Sequence, residues 1–272
     1  MIKWLQKITL LLFSVTLVAF IAFSVMDSIR TDETVPVISI ATDTLEVSVH
    51  DDESVLLEGV TAYDEKDGDI TDKVLVESVS KFITPGVCTV TYAVADSDSH
   101  VSKVTRTLRY TDYTAPEFYM KRALVYSVDE DVDIRSAIGA RDCIDGDISD
   151  KVTITATDFI ENTSGVFTVS VQVANSKGHM IYLDVTVHVE GNETMAPEIQ
   201  LEKSLIYIKK GEKPVFEDYI KDVTVNGVLM QNYNLLISTN FNSEKEGTYN
   251  VHFYISTDAG YEGHSILTVV VE

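Results

Sequence analysis

Cysteine and positive charge are both scarce in this sequence. The only two cysteines, Cys88 and Cys143, stand at non-equivalent positions in the chain. A disulfide framework or a cysteine-based metal cluster would need more of them. The 21 Lys and Arg residues are outnumbered by 43 Asp and Glu, which gives a net charge of −22. Because phosphate recognition needs clustered Lys and Arg, we expect no nucleic-acid partner.

Catalytic signatures are missing as well. The sequence contains no H-E-x-x-H pattern, no nucleophile elbow and no glycine loop of the phosphate-binding type. A catalytic triad assembled in space would leave no such pattern. With no motif to support it, we expect no enzyme activity, no catalytic residues and no bound cofactor.

Long hydrophobic runs are confined to the N-terminus, where residues 8–26 carry no charge. As a helix this run spans about 28 Å, close to the thickness of a bilayer's hydrocarbon core. Lys3 and Lys7 precede it, and this bias places the N-terminus in the cytoplasm. Residues 1–30 are therefore predicted to be a cytoplasmic stub and a single-pass signal-anchor helix, with the remainder extracellular.

A cleaved secretory signal is the alternative for the same segment. Its apolar region is usually shorter, and its cleavage site needs small residues at alternate positions. The stretch Ala22-Phe23-Ser24 fits that pattern poorly. The anchor is preferred for this reason, and both interpretations export the rest of the chain.

An acidic stretch occurs twice, at residues 64–74 and 142–152, with an offset of 78 residues (142 − 64). Self-similarity at this period is typical of tandem modules. Prolines mark three module starts at positions 36, 116 and 197, as expected for residues at the beginning of edge strands. We predict modules at 34–111, 114–190 and 195–272, with the third divergent and the three stacked end to end as a stalk.

Apolar residues alternate with a period of two inside each module. The clearest runs follow a glycine and place one set of side chains on one face: Cys88, Val90, Tyr92 and Val94; Phe167, Val169, Val171 and Val173; Tyr249, Val251, Phe253 and Ile255. Period-two alternation with β-branched and aromatic residues predicts half-buried strands. Outside residues 8–26 we find no convincing helical periodicity. The predicted fold class is all-β, with three antiparallel β-sandwiches after one transmembrane helix.

These residues resemble the immunoglobulin-like repeats that bacterial surface proteins carry in tandem, of the type with a D-x-x-D-G-D-I-T loop; hyalin-type repeats are similar. The resemblance covers residues 36–110 and 116–189. The third module keeps the starting proline and a G-x-Y strand but replaces the acidic loop with residues 222–228. The resemblance implies an extracellular spacer or adhesive module without catalytic residues.

The acidic loops are the candidate metal sites. Their carboxylates are Asp64, Asp67 and Asp69 in the first module and Asp142, Asp145 and Asp147 in the second. Clustered carboxylates supply the oxygen ligands that Ca²⁺ requires, although the spacing is not that of an EF-hand. Asp-Gly is also a turn dipeptide, and Asp side chains cap backbone N–H groups. We prefer the structural turn, in which Ile70 and Ile148 fill the core from the loop.

The remaining polar and aromatic residues give weaker signals. His100 and His179 share a repeat position, which suggests turn chemistry more than metal ligation. Tyr254 in the third module is predicted to point away from the core, as a contact residue or, by preference, as a residue flanking a half-covered sheet.

Taken together, these features indicate a membrane-anchored, non-catalytic, adhesion-type surface protein. Its partners are the membrane, through the helix, and an unidentified extracellular protein or glycan. The alternative is a Ca²⁺-dependent carbohydrate- or protein-binding module that uses the acidic loops.

Overall fold

The computed structural model describes residues 2–30, 33–191 and 196–272. Residues 192–195, which include part of the predicted linker before the third module and that module's first residue, lie outside the described residues, as do 31 and 32. The chain divides into two compact units, Met1–Thr111 and Asp112–Glu272, and each is described by itself.

The first unit begins with one long helix, α1, at Ile2–Arg30. Its segment Lys3–Met26 is 24 residues long, has a mean hydropathy of 2.5 and buries none of its residues in the protein. Apolar side chains are exposed on every side of it, for example Leu10, Phe13 and Phe20. A helix that is apolar all round, rather than along one stripe, is suited to a lipid environment.

The rest of the first unit is a two-sheet sandwich. One sheet has the strand order β1-β3-β4 and the other β2-β7-β6-β5. The strands are β1 Val37–Ile40, β2 Thr44–Val47, β3 Val60–Asp64, β4 Gly68–Asp69, β5 Leu75–Val79, β6 Val87–Ala95 and β7 Val101–Tyr110. All neighbouring pairs are antiparallel except β2 and β7, which pair in parallel.

The second unit contains two further sandwiches with the same strand order. Their strands are β8 Glu117–Met120, β9 Val125–Ser127, β10 Ile138–Asp142, β11 Gly146–Asp147, β12 Thr153–Thr157, β13 Gly165–Ala174 and β14 Met180–Glu190, then β15 Glu198–Leu201, β16 Leu205–Ile208, β17 Ile220–Val225, β18 Val228–Leu229, β19 Asn234–Thr239, β20 Gly247–Ser256 and β21 Glu262–Val271. The parallel pairs are β9 with β14 and β16 with β21. The all-β, three-sandwich fold class is therefore confirmed.

Short helical turns connect the strands. A single turn of α-helix, α2, spans Ile134–Ala137. It begins after Asp133, whose side chain accepts a hydrogen bond from the Ser136 N–H. Single 3₁₀ turns occur at Glu53–Leu57, Thr71–Lys73, Ser149–Lys151 and Phe216–Tyr219. Elements of three to five residues are too short to show a 3.6-residue period.

The alternating residues fill the cores as predicted. Val90 and Tyr92 are fully buried between the sheets of the first sandwich, as are Val169 in the second and Phe253 in the third. Cys88 lies among them with no exposed surface, the position expected of a small apolar residue. Burial of such β-branched and aromatic surface is the main force that holds each sandwich together.

The third sandwich replaces the acidic loop with a tight hairpin. Strands β17 and β18 are joined by Asn226 and Gly227, both with positive φ, at 50° and 76°. Two consecutive residues of this kind form the two-residue turn whose twist matches that of paired strands. The divergent sequence at 222–228 is thus a conventional β-hairpin.

Candidate functional site

The acidic loop of the first sandwich binds its own backbone. Asp64 Oδ1 accepts hydrogen bonds from the N–H groups of Lys66 and Asp67, each at 3.0 Å. Asp67 in turn accepts from Ser97, at 2.6 Å from the backbone nitrogen and 2.7 Å from the hydroxyl. Asp69 caps the N–H of Thr71 at 3.0 Å. The three carboxylates therefore close the loop and connect it to the turn between β6 and β7.

The second sandwich repeats this arrangement residue by residue. Asp142 Oδ1 accepts from the N–H groups of Ile144 and Asp145, both at 2.9 Å. Asp145 accepts from the backbone and the hydroxyl of Ser176, each at 2.6 Å, and pairs with Lys151 at 3.0 Å. Asp147 accepts from Ser149. Six predicted carboxylates thus act in matched pairs, 64 with 142, 67 with 145 and 69 with 147.

Hydrogen bonding changes the acidity of these groups. Bonds from Ser97 lower the pKa of Asp67, and bonds from Thr71 lower the pKa of Asp69. Burial raises the pKa of Asp145, but the bonds from Ser176 and Lys151 outweigh it, so that its pKa is lowered. A lowered pKa means that the folded loop favours the ionised carboxylate.

Backbone geometry agrees with the structural-turn interpretation. Gly68 and Gly146 adopt φ of 76° and 72°, which side chains with a Cβ disfavour. Ile70 and Ile148 follow them and are each 1 % exposed, so both fill their cores from the loop as expected. Each of these carboxylates accepts N–H or hydroxyl donors through at least one oxygen, and these hydrogen bonds hold the loops in shape without a cation. The calcium assignment stays a prediction.

One difference separates the two loops. Asp142 Oδ2 accepts a hydrogen bond from Asn175 Nδ2 at 3.0 Å. Asp64 Oδ2, its counterpart, is buried and has no hydrogen-bond partner among the described residues. The position of Asn175 is occupied in the first sandwich by Asp96, which opens the equivalent turn. An aspartate has no N–H to donate, and this accounts for the unpaired oxygen.

Three histidines meet where the second and third sandwiches touch. His188 lies on β14, His252 on β20 and His264 on β21. Each offers a ring nitrogen, and these nitrogens all lie within 4.8 Å of one another. Among the described His, Cys, Asp and Glu residues, these three form the group whose ligand atoms are close enough to hold one metal ion. We call it the histidine trio.

Hydrogen bonds orient two members of the trio. His264 Nδ1 lies 2.5 Å from Glu190 Oε1, and its Nε2 lies 3.0 Å from His252 Nδ1. The ring of Tyr254 stacks on that of His264, with centroids 4.5 Å apart and planes inclined by 7°. The His188 ring meets both other imidazoles edge-on, with centroids 5.2 Å away. Stacking and hydrogen bonding together fix the ring planes.

The surroundings of His188 and His252 favour the neutral forms of these two rings. Burial and the neighbouring imidazoles lower the pKa of His188 to about 4. Burial and His264 lower the pKa of His252. The hydrogen bond from His264 lowers the pKa of Glu190, which remains a carboxylate. The His264 side chain is only 3 % exposed. Neutral imidazoles are the form that binds transition metals.

Sandwiches two and three pack side by side along the trio. The contacts follow the outer face of β14: Asn250 donates to Thr186 Oγ1 at 2.8 Å, and further along His264 reaches Glu190. Leu205, on β16 of the third sandwich, is buried in the core cluster of the second. The end-to-end stacking expected for this pair is therefore wrong, because the outward faces of two strands are covered by one another.

Sequence reasoning did not find the trio because its members come from three strands of two modules. The available signal was the outward register of His252 and Tyr254, which identified a half-covered face but not what covers it. Tyr254 flanks this junction, in agreement with the preferred interpretation. His100 and His179 are turn residues as expected: their N–H groups donate to Asp96 and Asn175.

Comparison with known proteins supports part of the resemblance. Residues 42–109 match the family model described as "Bacterial surface protein, Ig-like domain". A protein of Acholeplasma phage L2, "Uncharacterized 81.3 kDa protein", is 29 % identical over 136 residues, covering 48 % of this chain and 18 % of the relative. The match thus spans less than a fifth of that relative's length.

Solved structures give only distant similarities. The CBM51-2 and INT domains of Clostridium perfringens ZmpB share 19 % identity over 54 % of this chain and 40 % of theirs, with a TM-score of 0.28. Drosophila N-cadherin EC1-3 shares 12 % over 85 % of this chain and 98 % of its own, with a TM-score of 0.32. The lipoprotein BT2262 of Bacteroides thetaiotaomicron shares 12 % over 86 % and 98 %, with a TM-score of 0.22. The family model supports a bacterial surface Ig-like family, and its match lies within the first sandwich.

Proposed function

We propose that this protein is a membrane-anchored, adhesion-type surface protein. In this proposal α1 remains uncleaved and spans the membrane once. Three hyalin-like Ig modules, 34–111, 114–190 and 195–272, then lie outside the cell and bind an extracellular protein or glycan without catalysis. The observation that carries the proposal is the apolar segment Lys3–Met26, none of which is buried in the protein.

The exposure of that segment has an energetic consequence. Its 24 residues reach about 36 Å as a helix, enough to cross a hydrocarbon core of about 30 Å. Apolar surface left in water costs about 25 cal/mol per Å², so a helix exposed on all sides is stable only where lipid covers it. Lys3 and Lys7 at its start favour a cytoplasmic N-terminus.

Membrane fractionation tests the anchor. The full chain with a C-terminal tag is expressed in a bacterium with a single membrane, and carbonate-washed membranes are separated from the medium. We expect the intact 30.2 kDa chain in the membranes. Recovery of the tag in the medium on a chain shortened near residue 24 would overturn the uncleaved anchor in favour of a secreted protein.

A pair of valine variants supplies the control. Val18 in α1 and Val37 on β1 are 65 % and 63 % exposed, so they differ in location and hardly in exposure. An arginine at the centre of a membrane helix costs about 2.5–3.5 kcal/mol on insertion scales. Val18→Arg should therefore reduce membrane retention, whereas Val37→Arg should not. Equal retention of the two variants would contradict membrane insertion.

The partner is tested by retention of bacteria displaying the full chain on arrays of glycans and of extracellular proteins. Binding above that of cells carrying the vector alone is the expected result. No binding to either class would contradict the adhesive part of the proposal and leave a spacer. The strongly acidic composition, with 43 Asp and Glu, favours partners that carry positive charge.

Calcium-dependent binding through the acidic loops remains the alternative prediction. A cation bound only to the folded state raises the melting temperature by mass action. A rise of several degrees in millimolar Ca²⁺ relative to EDTA would support it. The hydrogen bonds that already occupy the loop carboxylates lead us to expect no such rise.

A further inference from the structure

The histidine trio has an unusual arrangement of donors and acceptors. His264 Nδ1 faces the carboxylate of Glu190, which accepts hydrogen bonds, so in the singly protonated ring the proton lies on this nitrogen. Its Nε2 is then a bare acceptor, and it points at His252 Nδ1 from 3.0 Å. Two ring nitrogens at that distance must share a proton or share a cation. The third imidazole, on His188, has a nitrogen within 4.8 Å of a nitrogen of each of the other two rings.

We propose that His188, His252 and His264 form a binding site for one divalent transition-metal ion of the zinc class at the junction of the second and third sandwiches. The ion takes one nitrogen from each ring, with His264 contributing Nε2 and His252 contributing Nδ1. On binding, the shared proton moves from His252 Nδ1 to its other nitrogen. The rings stay neutral and no proton is released.

The donor set selects the class of ion. Three imidazoles suit Zn²⁺, Ni²⁺ and Cu²⁺, whereas Ca²⁺ and Mg²⁺ prefer oxygen ligands. Glu190 receives the other N–H of His264, the carboxylate–histidine arrangement that orients metal ligands and increases their basicity. Three protein ligands leave a fourth tetrahedral position, which a water molecule fills in zinc sites of this kind.

The distances need only a small adjustment. With Zn–N bonds of about 2.05 Å, two nitrogens of a tetrahedral site are about 3.3 Å apart. The pair from His252 and His264 is within a few tenths of an ångström of this value, at 3.0 Å. His188 has a ring nitrogen at most 4.8 Å from a nitrogen of each other ring, so a shift of about 1–2 Å would close the site.

The site would hold two modules together. His188 belongs to the second sandwich, while His252 and His264 belong to the third. An ion bound to all three therefore stabilises the contact between β14 and β20 whenever it is present. Binding requires the folded unit because the ligands are far apart in the sequence.

The alternative for this cluster is packing alone. Tyr254 stacks on His264, and stacked aromatic rings contribute favourable contacts without any ion. Packing and metal binding predict different responses to Zn²⁺, and the choice between them is therefore experimental.

The test uses the untagged full chain in detergent, stripped of metal with a chelator. We expect calorimetric titration with Zn²⁺ to give one site per chain. Co²⁺ in place of Zn²⁺ should produce the intense visible absorption of tetrahedral coordination. His188→Gln and His252→Gln should each weaken binding by more than about 100-fold, and Glu190→Gln by roughly 10–100-fold. The matched control is His50→Gln, an exposed histidine of the first unit, which should bind as the parent does.

Several results would overturn the proposal. Absence of Zn²⁺ binding tighter than about 1 mM by the parent chain would leave packing as the explanation. Binding that survives in His188→Gln and His252→Gln, or Co²⁺ spectra typical of six oxygen ligands, would place the ion elsewhere. Should the variants fail to fold, as judged by circular dichroism, the Co²⁺ spectrum of the parent decides.

Discussion

The unpaired oxygen of Asp64 leads to a reciprocal prediction. In the second sandwich, Asn175 Nδ2 donates to the buried Asp142 at 3.0 Å, whereas the equivalent Asp64 Oδ2 has no partner among the described residues. Replacing Asp96 by Asn supplies the missing N–H at the same position. Because an unpaired buried polar atom costs about 1–3 kcal/mol, Asp96→Asn should stabilise the first sandwich by about 1 kcal/mol.

The reverse change should have the opposite sign. Asn175→Asp removes the N–H, leaves Asp142 without this hydrogen bond and brings a second carboxylate to it, so we expect a loss of about 2–3 kcal/mol. Urea denaturation of the full chain measures both, and hydrogen exchange of the β6 and β13 amides assigns each change to its sandwich. Destabilisation by Asp96→Asn, or no effect of Asn175→Asp, would refute the reasoning.

Part of that expectation depends on His100. Its Nδ1 lies 2.8 Å from Asp96 Oδ2, and the N–H groups of Asp98 and His100 bond to Asp96 Oδ1. An asparagine keeps one oxygen for the two N–H groups, as Asn175 does for the His179 N–H. The His100 ring can accept from the new amide, since a neutral imidazole has one acceptor nitrogen. We therefore expect the stabilisation by Asp96→Asn to lie at the lower end of the range of about 1–3 kcal/mol.

Three further predictions concern the junction, a close backbone approach within the third sandwich, and the loops. Leu205→Ala should destabilise the second unit by about 2–3 kcal/mol because Leu205 lies in the neighbouring core, whereas the exposed Leu236→Ala should stay within about 0.5 kcal/mol; equal midpoints in urea would contradict this. Gly263→Ala should cost about 1–3 kcal/mol since its Cβ would meet Pro197 O at 1.9 Å, while Gly191→Ala, with open space, should be neutral by thermal melting. The loop aspartates have folded-state pKa values below their ordinary value, so their contribution to stability is complete above about pH 4 and is lost as the pH falls through the folded-state pKa values. Denaturation midpoints that stay constant from pH 5 to pH 2.5 would contradict the role of these carboxylates in closing the loops.

Much of the fold is local and could be predicted from the sequence. The period-two runs around Val90, Val169 and Phe253 identify the central strands because a half-buried sheet imposes that period. The Asp-Gly turns and their following isoleucines could be predicted for the same reason, since turn chemistry acts between neighbours. The parallel pairing of the short strands β2, β9 and β16 with the last strand of each sandwich leaves no such trace.

The junction could not be predicted because it depends on contacts between modules. His188 and His264 meet only when two complete sandwiches pack against one another, and no local pattern encodes that contact. In a single module, the outward register of Asn250 and His252 predicts solvent exposure. In the structure, Thr186 and His188 of β14 contact them. Periodicity defines two faces of a strand and leaves open what lies against the outer one.

The central claim is that α1 spans the membrane and anchors the sandwiches outside the cell. Labelling of single introduced cysteines on intact cells tests it most directly. In a Cys143→Ser background, with Cys88 buried, one variant carries Tyr63→Cys at a site 60 % exposed in the first sandwich. The other carries Lys3→Cys at the first residue of the apolar segment. A membrane-impermeant maleimide should label position 63 on intact cells and position 3 only after lysis. Labelling of position 63 only after lysis, or of position 3 on intact cells, would contradict the account.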